Sequence, residues 1–293
     1  MKAIVLAGGT GSRLFPSTRA VSKQLLPIFD KPMVYYPLAV VFQAQIKEVL
    51  LITTPEDQLA FQRLLADGKQ WGVHLQYAVQ KQPNGIAEAL SIGADFLAGD
   101  DVLLILGDNI FYGEGLQQHL NKAKITLKEK SIGTIFAHEV DSPQRYGVAV
   151  YDALGRPKAI EEKPKNPQSN FAITGLYCYP NLVVEQAKKL TPSTRGELEI
   201  TDINNYLLEE GLLEVVPFKP GFNWLDTGTH ESLLEATHFV HTLEKRHGIK
   251  IGCLEEIALR NQWISVQQLL NWAAGFSNSS YGAYLFNKYQ NRA

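Results

Sequence analysis

Short apolar runs recur through the first third of the chain, at residues 2–7, 49–53, 75–79 and 102–106. They are near-continuous in Val, Ile and Leu rather than alternating, which predicts strands covered on both faces. Between them the apolar positions change to a helical spacing, at residues 34–45, 56–66 and 86–96. Alternation of such strands with helices predicts a parallel sheet joined by right-handed crossovers. The pattern then changes. Strand-like runs at 134–140, 146–151, 158–162 and 173–179 have turns but no long helix between them. They predict antiparallel hairpins merged into the same sheet. Helical runs follow at 182–190 and 198–210, and a strand at 214–218. From residue 231 to the end only helical spacing remains, at 231–247, 254–260, 266–273 and 281–289. The expected fold is α/β: a Rossmann-like, mixed but mainly parallel sheet flanked by helices, with a C-terminal helical appendage. The expected division is a core over 1–228 and a helical segment packed on it over 229–293.

Composition narrows the function classes. A chain of 293 residues buries roughly 75% of its unfolded surface, so neither disulfides nor a structural metal is needed. The formal net charge of −2 offers no global attraction for nucleic acid or anionic lipid. An anion site must therefore be local. The two cysteines, Cys178 and Cys253, are far apart and form no CxxC pair, which argues against a zinc site and fits a reducing compartment. No apolar stretch approaches the ~18 residues of a membrane helix, and the apolar run at the N-terminus is too short for a signal segment. A cytoplasmic location is expected.

Chemistry enters where strands end. Gly8-Gly9-Thr10-Gly11-Ser12-Arg13 follows the first strand directly. Closely spaced glycines allow a tight turn whose N–H groups point at an anion, and Arg13 supplies a forked cation suited to phosphate. The dinucleotide fingerprint fails because Leu14 stands where its last glycine is needed, and the P-loop fails at Arg13 and Leu14. Taken alone, such a loop is as readily a simple strand-ending turn. Gln80 to Glu88 follows another strand and opens a helix; a side-chain amide such as Gln80 offers a donor and an acceptor together to a base edge. Asp108 stands at the end of the strand 102–106, the sheet edge where ligands gather, and a carboxylate there suits Mg²⁺. Asp226 lies in a tight turn far downstream, and sequence separation says nothing about whether the two meet. Glu162 and Lys163 are adjacent; on an ordinary strand they would face opposite sides.

The ordered run Gly8-Gly-Thr-Gly-Ser-Arg-Leu, Pro16, Ser22-Lys23-Gln24-Leu25-Leu26-Pro27 and Lys31-Pro32-Met33 resembles the signature of the sugar-nucleotidyltransferase family, and within it the thymidylyl-transferring branch. Later blocks resemble the family to about Gly228. The resemblance implies a Mg²⁺-assisted transfer from dTTP to glucose 1-phosphate. It implies that Gly8, Gly9, Thr10, Gly11 and Ser12 wrap the triphosphate while Arg13 and Lys23 hold its charge. Gln24, Gln80, Pro83 and Gly85 complete the nucleotide side. Gly107, Asn109, Tyr146, Gly147 and Glu162 are implied on the sugar-phosphate side, together with Ile173, Thr174, Gly175 and Trp224, and Lys163 as its cation. Asp108 and Asp226 are the implied metal ligands. The family also implies a homotetramer with a second nucleotide site at a subunit interface, for which Tyr112, Gly113, Glu256 and Arg260 are candidates. Glu256 and Arg260 stand at helical i, i+4 spacing, which equally predicts an ordinary surface ion pair.

Three rival readings make distinct demands on the sequence. A uridylyl-transferring relative would typically carry Lys-Glu where this chain has Lys23-Gln24. A non-catalytic nucleotide-sugar sensor would be expected to lose Arg13, Lys23, Asp108 or Asp226, all of which are present. A Rossmann dehydrogenase would need the missing third glycine.

Overall fold

A computed structural model describes residues 1–292. The chain runs through β1 (Lys2–Ala7), a hairpin of β2 (Pro27–Ile28) and β3 (Lys31–Pro32), α1 (Tyr35–Gln43), β4 (Glu48–Thr53), α2 (Gln58–Leu65) and β5 (His74–Val79). Two short helices, α3 (Glu88–Ile92) and α4 (Ala94–Leu97), precede β6 (Val102–Leu106), β7 (Asn109–Tyr112) and α5 (Leu116–Lys130). The middle holds β8 (Gly133–Glu139), β9 (Gly147–Tyr151), β10 (Pro157–Glu162), β11 (Phe171–Tyr179), α6 (Val183–Ala187), α7 (Ile200–Glu209) and β12 (Leu213–Pro217). After β13 (Asn223–Asp226) come α8 (His230–His247), α9 (Leu254–Arg260), α10 (Val266–Ala273) and α11 (Ser280–Tyr289). No helix among the described residues is long and apolar enough to cross a membrane.

Nine strands form one sheet in the order β10-β9-β11-β6-β1-β4-β5, with β8 and β12 branching from β11. Pairing of β6, β1, β4 and β5 is parallel, as the uniform apolar runs of β1, β4 and β6 predict. At the edge of the sheet, β5 leaves His74 and Gln76 exposed and is not covered on both faces. Pairing of β11 with β6, β8 and β9 is antiparallel, and β12 joins β8 in parallel. One edge of β11 serves two neighbours: Ala172 pairs with β9, while Leu176–Tyr179 pair with β6. The register of β11 against β8 also slips between Ile173 and Tyr177. Such an irregularity bends a strand and re-aims its side chains. It leaves a gap between β9 and the carboxyl ends of β1 and β6, where ligands of open α/β sheets gather.

Two apolar layers cover the sheet. One packs Ile4, Leu50, Leu104 and Tyr179 against α3, α6 and α7. The other joins Ala3, Val5, Leu38, Phe42 and Trp71 to Leu254, Ile257, Ala258, Leu269 and Leu285 of the C-terminal helices. The last helices therefore share a core with β1. Burying each such Leu or Ile is worth roughly 1.5–3 kcal/mol. Glu255 is almost fully buried and binds this layer with polar bonds: it accepts from Trp71 Nε1 at 3.0 Å, Trp272 Nε1 at 3.3 Å and Tyr281 Oη at 2.5 Å. The long α8 packs instead on the β2–β3 hairpin and Ile110. Its Glu244 receives Lys31 at 2.9 Å and Lys250 at 2.8 Å in a buried ion network with Asp30.

The structure departs from the expected elements in several places. The expectation includes neither the short β2–β3 hairpin nor β7 and β13, which pair with each other. Among the expected hairpins, β9–β10 forms between neighbouring runs, while β8 pairs with β11 and β12. Helix α5 was not expected: its sequence LQQHLNKAKITLKEK is mostly polar, and only a narrow stripe at Leu116, Leu120, Ala123, Thr126 and Leu127 is buried. The helix expected over 86–96 is broken at Gly93 into α3 and α4.

Candidate active site

The four parallel strands point their carboxyl ends to one edge of the sheet, where β1, β5 and β6 deliver polar groups to a cleft and β4 holds Gln80 N through Thr53 O at 2.8 Å. After β1 the loop turns through Gly9 and Gly11, both with positive φ (+92° and +58°), a region that glycine enters at no steric cost. Thr18 Oγ1 ties the loop down by donating to Gly11 O at 2.7 Å. After β5 comes Gln80, and after β6 come Gly107 and Asp108. Together with β9, β10, β11 and β13 these ends enclose a cleft of about 380 Å³, within the usual range for small-molecule sites.

The floor of the cleft carries paired charges. Asp108 Oδ2 lies 2.6 Å from the ammonium of Lys23, which is buried. Asp226 is brought to the same place because β13 pairs antiparallel with β7, setting Asp226 opposite Asn109. Thr227 Oγ1 closes that junction by donating to Asp108 O at 2.9 Å. The two carboxylates have different environments. Burial alone would raise the Asp108 carboxyl, but the Lys23 charge and hydrogen bonds from Lys23 and Asn109 outweigh it and hold it below the ordinary range. Asp226 is pushed up by burial and by the Asp108 charge, against the pull of Lys23, Arg13 and Arg145. Arg145 reaches to 4.0 Å of Asp226, and Arg13 lies against Gly228 beside it. Burial and the Asp226 charge also raise the Tyr146 phenol.

The nucleotide-side residues form one wall. Gly8, Gly9, Arg13, Gln24, Gln80, Pro83 and Gly85 line the cleft. Gln24 is held by Ser22 Oγ at 2.6 Å and donates to Gly8 O at 3.3 Å. Gly85 has φ +113°, and an added Cβ would stand 2.4 Å from Leu198 O. The chain at 84–87 is thus pressed onto the 193–199 loop, with Leu198 N donating to Asn84 O at 2.6 Å. Thr10, Gly11 and Ser12 shape the loop, and Lys23 and Gly107 sit behind Asp108 and Leu6, so these five do not line the cleft.

The opposite wall comes from β9, β10 and β11. Tyr146, Gly147, Glu162, Lys163, Ile173, Gly175 and Trp224 all line it. Glu162 and Lys163 face the same cleft, contrary to the alternation expected of a strand. The reason is local: Lys163 adopts φ +44° just past the end of β10. A non-glycine residue there costs of order 1–3 kcal/mol, and Lys163 N is held by Tyr146 O at 2.9 Å. Glu162 is braced by Arg195 at 2.9 Å and Thr201 Oγ1 at 2.6 Å. Thr174 departs from its expected role: its side chain is fully buried on the far face of β11, donating to Phe136 O at 3.0 Å. Asn109 is mostly committed to the protein. Its Oδ1 accepts from Trp224 Nε1 at 2.6 Å and Gly175 N at 3.1 Å, and its Nδ2 donates to Asp108 at 2.9 Å.

Sequence reasoning missed several lining residues. Arg145 and Arg195 both line the cleft; the available signal was a cation one or two positions before a glycine, in Arg145-Tyr146-Gly147 and Arg195-Gly196. Arg195 bonds Glu162 and Glu197, at 2.9 and 3.0 Å. Tyr177 and Asn204 carry no local signal, since only strand and helix packing turns them inward. The amide nitrogen of Asn204 has no hydrogen-bond partner among the described residues.

A second, smaller cavity of about 250 Å³ lies between α1, β7 and α9, and it gathers Tyr112, Gly113, Glu256 and Arg260. Glu256 does not pair with Arg260 as the i, i+4 spacing predicted. It is taken by Lys288 at 2.7 Å, Tyr284 at 2.8 Å and Tyr289 at 3.1 Å.

Residue types and geometry suit an oxygen-rich polyanion. No cluster of three or more Asp, Glu, His or Cys among the described residues has the arrangement of a metal site. Two carboxylates that repel each other, with oxygen donors only, fit a hard divalent cation that takes its remaining ligands from a substrate. Comparison with known proteins agrees. The chain is 51% identical over 285 residues to a glucose-1-phosphate thymidylyltransferase of Neisseria meningitidis serogroup A, covering 97% of this chain and 98% of that one. It is 50% identical over 284 residues to the enzyme of that name from Xanthomonas campestris pv. campestris, covering 97% and 95%. A Bacillus anthracis structure described as a glucose-1-phosphate thymidylyltransferase in complex with sucrose superposes with a TM-score of 0.75 at 40% identity, covering 82% of this chain and 94% of that one. Residues 2–242 match the nucleotidyl transferase family, and the chain belongs to that family.

Proposed function

We propose that the chain joins dTTP to glucose 1-phosphate, giving dTDP-glucose and pyrophosphate. The observation that carries this reading is the cleft floor. Asp108 and Asp226 lie between a glycine-rich phosphate wall and a wall with Glu162 and Lys163, with Arg13, Lys23 and Arg145 around them. An oxygen of the sugar phosphate attacks the α-phosphorus in line, and the bond from that phosphorus to the β-phosphate oxygen breaks. Both reactants are anions, so the protein's work is positioning and charge neutralisation. Arg13, Arg145 and Lys23 stabilise the charge that moves onto the leaving pyrophosphate. Lys163 aligns the attacking phosphate, and Glu162, held rigid by Arg195 and Thr201, accepts from sugar hydroxyls. The attacking oxygen is already deprotonated at neutral pH, so no general base is required. Mg²⁺ is the cation that Asp108 and Asp226 would hold, and when bound it supplies Lewis-acid neutralisation of the triphosphate. The reading places the chemistry in the cytoplasm and, by family resemblance, in a homotetramer.

The test is a pyrophosphate-release assay crossing dTTP, UTP, dCTP and dATP with several sugar 1-phosphates. The expected winner is dTTP with glucose 1-phosphate, and product without added divalent cation, or a clear preference for UTP, would overturn the reading. For the smaller cavity we propose feedback binding of a deoxythymidine-linked sugar. Support comes from β7, which runs from Asn109 at the floor to Tyr112 at that cavity. Arg260→Ala should weaken inhibition by dTDP-rhamnose without changing uninhibited turnover; unchanged inhibition, or inhibition purely competitive with dTTP, would refute it.

A further inference from the structure

Gln80 leaves the end of β5 with its side chain almost wholly buried. Its Nε2 donates to Gly85 O at 3.0 Å and to Glu88 Oε2 at 2.8 Å. A carbonyl and a carboxylate can only accept. The amide nitrogen is therefore obliged to face them, and both of its protons are used. The amide oxygen is turned the other way, against Gly8, where an added Cβ would stand only 2.8 Å from it. Nothing among the described residues donates to that oxygen, and Gln80, Gly8 and Gly9 line the cleft side by side. Glu88 is itself fixed, because its other oxygen accepts from Asn84 Nδ2 at 2.9 Å. The sequence suggested a reader with a donor and an acceptor together; the fold leaves it the acceptor alone.

We propose that Glu88 is a positioning residue for base choice. By holding the amide protons of Gln80 it presents a lone acceptor to the base. That acceptor matches pyrimidines with a proton on ring nitrogen 3, thymine and uracil, and opposes cytosine, whose nitrogen 3 carries a lone pair. Two acceptors facing each other where Gln80 is almost wholly buried leave both unpaired, the arrangement that hydrogen-bonding sites reject most strongly. The inference rests on the reading of this cleft as a pyrimidine nucleoside triphosphate site.

The experiment measures kcat/KM and calorimetric affinity for dTTP, dCTP and dATP in the parent, Glu88→Met, Glu88→Lys and Asn84→Ala. Met removes the acceptor at similar length, and Lys supplies a donor that draws the amide oxygen away from the cleft. The dTTP-to-dCTP preference should fall about tenfold or more in Glu88→Met, further in Glu88→Lys and less in Asn84→Ala, while dATP stays excluded. An unchanged preference in Glu88→Met with its circular dichroism intact would overturn the inference. So would an equal loss against dATP, which would mean general loosening. Should Glu88→Lys not fold, the other two variants carry the test. A parent that binds no pyrimidine triphosphate would overturn the underlying reading as well, whereas a parent selective for dTTP whose preference survives in Glu88→Met would overturn this inference alone.

Discussion

At the scale of single residues, the two floor carboxylates differ in what they cost the fold. Asp108 is held ionised by a nearly buried ammonium, whereas Asp226 is raised by burial and by its neighbour's charge. A carboxyl raised in the folded state weakens the fold once it ionises. In chelated protein at neutral pH, Asp226→Asn should therefore keep or raise the melting temperature. Asp108→Asn should lower stability by about 1–3 kcal/mol, since it leaves Lys23 without its charged partner. Both should cut turnover at least a hundredfold, and thermal melts beside steady-state rates check the contrast. Equal melting shifts in the two variants would contradict it. Lys163 allows a second separation, of charge from backbone. Lys163→Ala and Lys163→Gly should raise KM for glucose 1-phosphate alike, with little change in KM for dTTP. At φ +44° the glycine variant should be the more stable of the two by about 1 kcal/mol, measured by urea titration.

At the scale of elements, α5 docks on β8 through His119, whose ring meets Phe136 and Phe218 edge-on at 6.2 and 5.4 Å. Burial, and repulsion from Lys219 and Lys122, hold its pKa below the usual histidine value. Burial does the same for His138 on β8. A base depressed in the folded state binds its proton better when unfolded. Its stability contribution is thus complete above the unfolded pKa of about 6.5 and is lost as pH falls through the lower folded value. Denaturation followed from pH 7.5 to 5 should show this loss. His119→Phe should flatten the slope by up to one proton, about 1.4 kcal/mol per pH unit at its steepest. An unchanged slope would mean that the ring titrates freely. The same docking explains why the helix was hard to read: with one narrow buried stripe among lysines and glutamines, α5 has little amphipathic signal of its own. The strands β1 and β6 were legible because their burial on both faces requires uniform apolar composition.

At the scale of the whole molecule, the apolar layer under α9 and α10 is continuous with that under β1. We propose the division at 228/229 as a boundary of sequence pattern within one cooperative unit. Calorimetry should then give a single transition for the full chain. Leu254→Ala, which empties a fully buried position, should cost about 2–5 kcal/mol and shift that whole transition. Two resolved transitions, or a shift of only one, would make the tail an independent unit.

What the sequence by itself determined was local. Much of the order of elements, the parallel sheet and the glycine-rich turn follow from burial periodicity and from residues whose backbone or charge allows little else. Asp108 at a strand end and Gln80 before a helix were legible for the same reason, since parallel strands send their carboxyl ends to one edge. Tertiary structure decided what depends on distant pairing. The β7–β13 ribbon brings Asp226 to Asp108 across more than a hundred residues. The slip in β11 turns Gly175 N toward Asn109 and buries Thr174. The left-handed turn at Lys163 puts acid and base on one side. Glu88 removes the donor from Gln80, and Lys288 takes Glu256 from Arg260. The long-range pairings have no sequence period, because separation along the chain carries no information about distance in space. The turn at Lys163 and the Gln80–Glu88 bond are local, but they rest on one backbone angle and one side-chain contact that no period records.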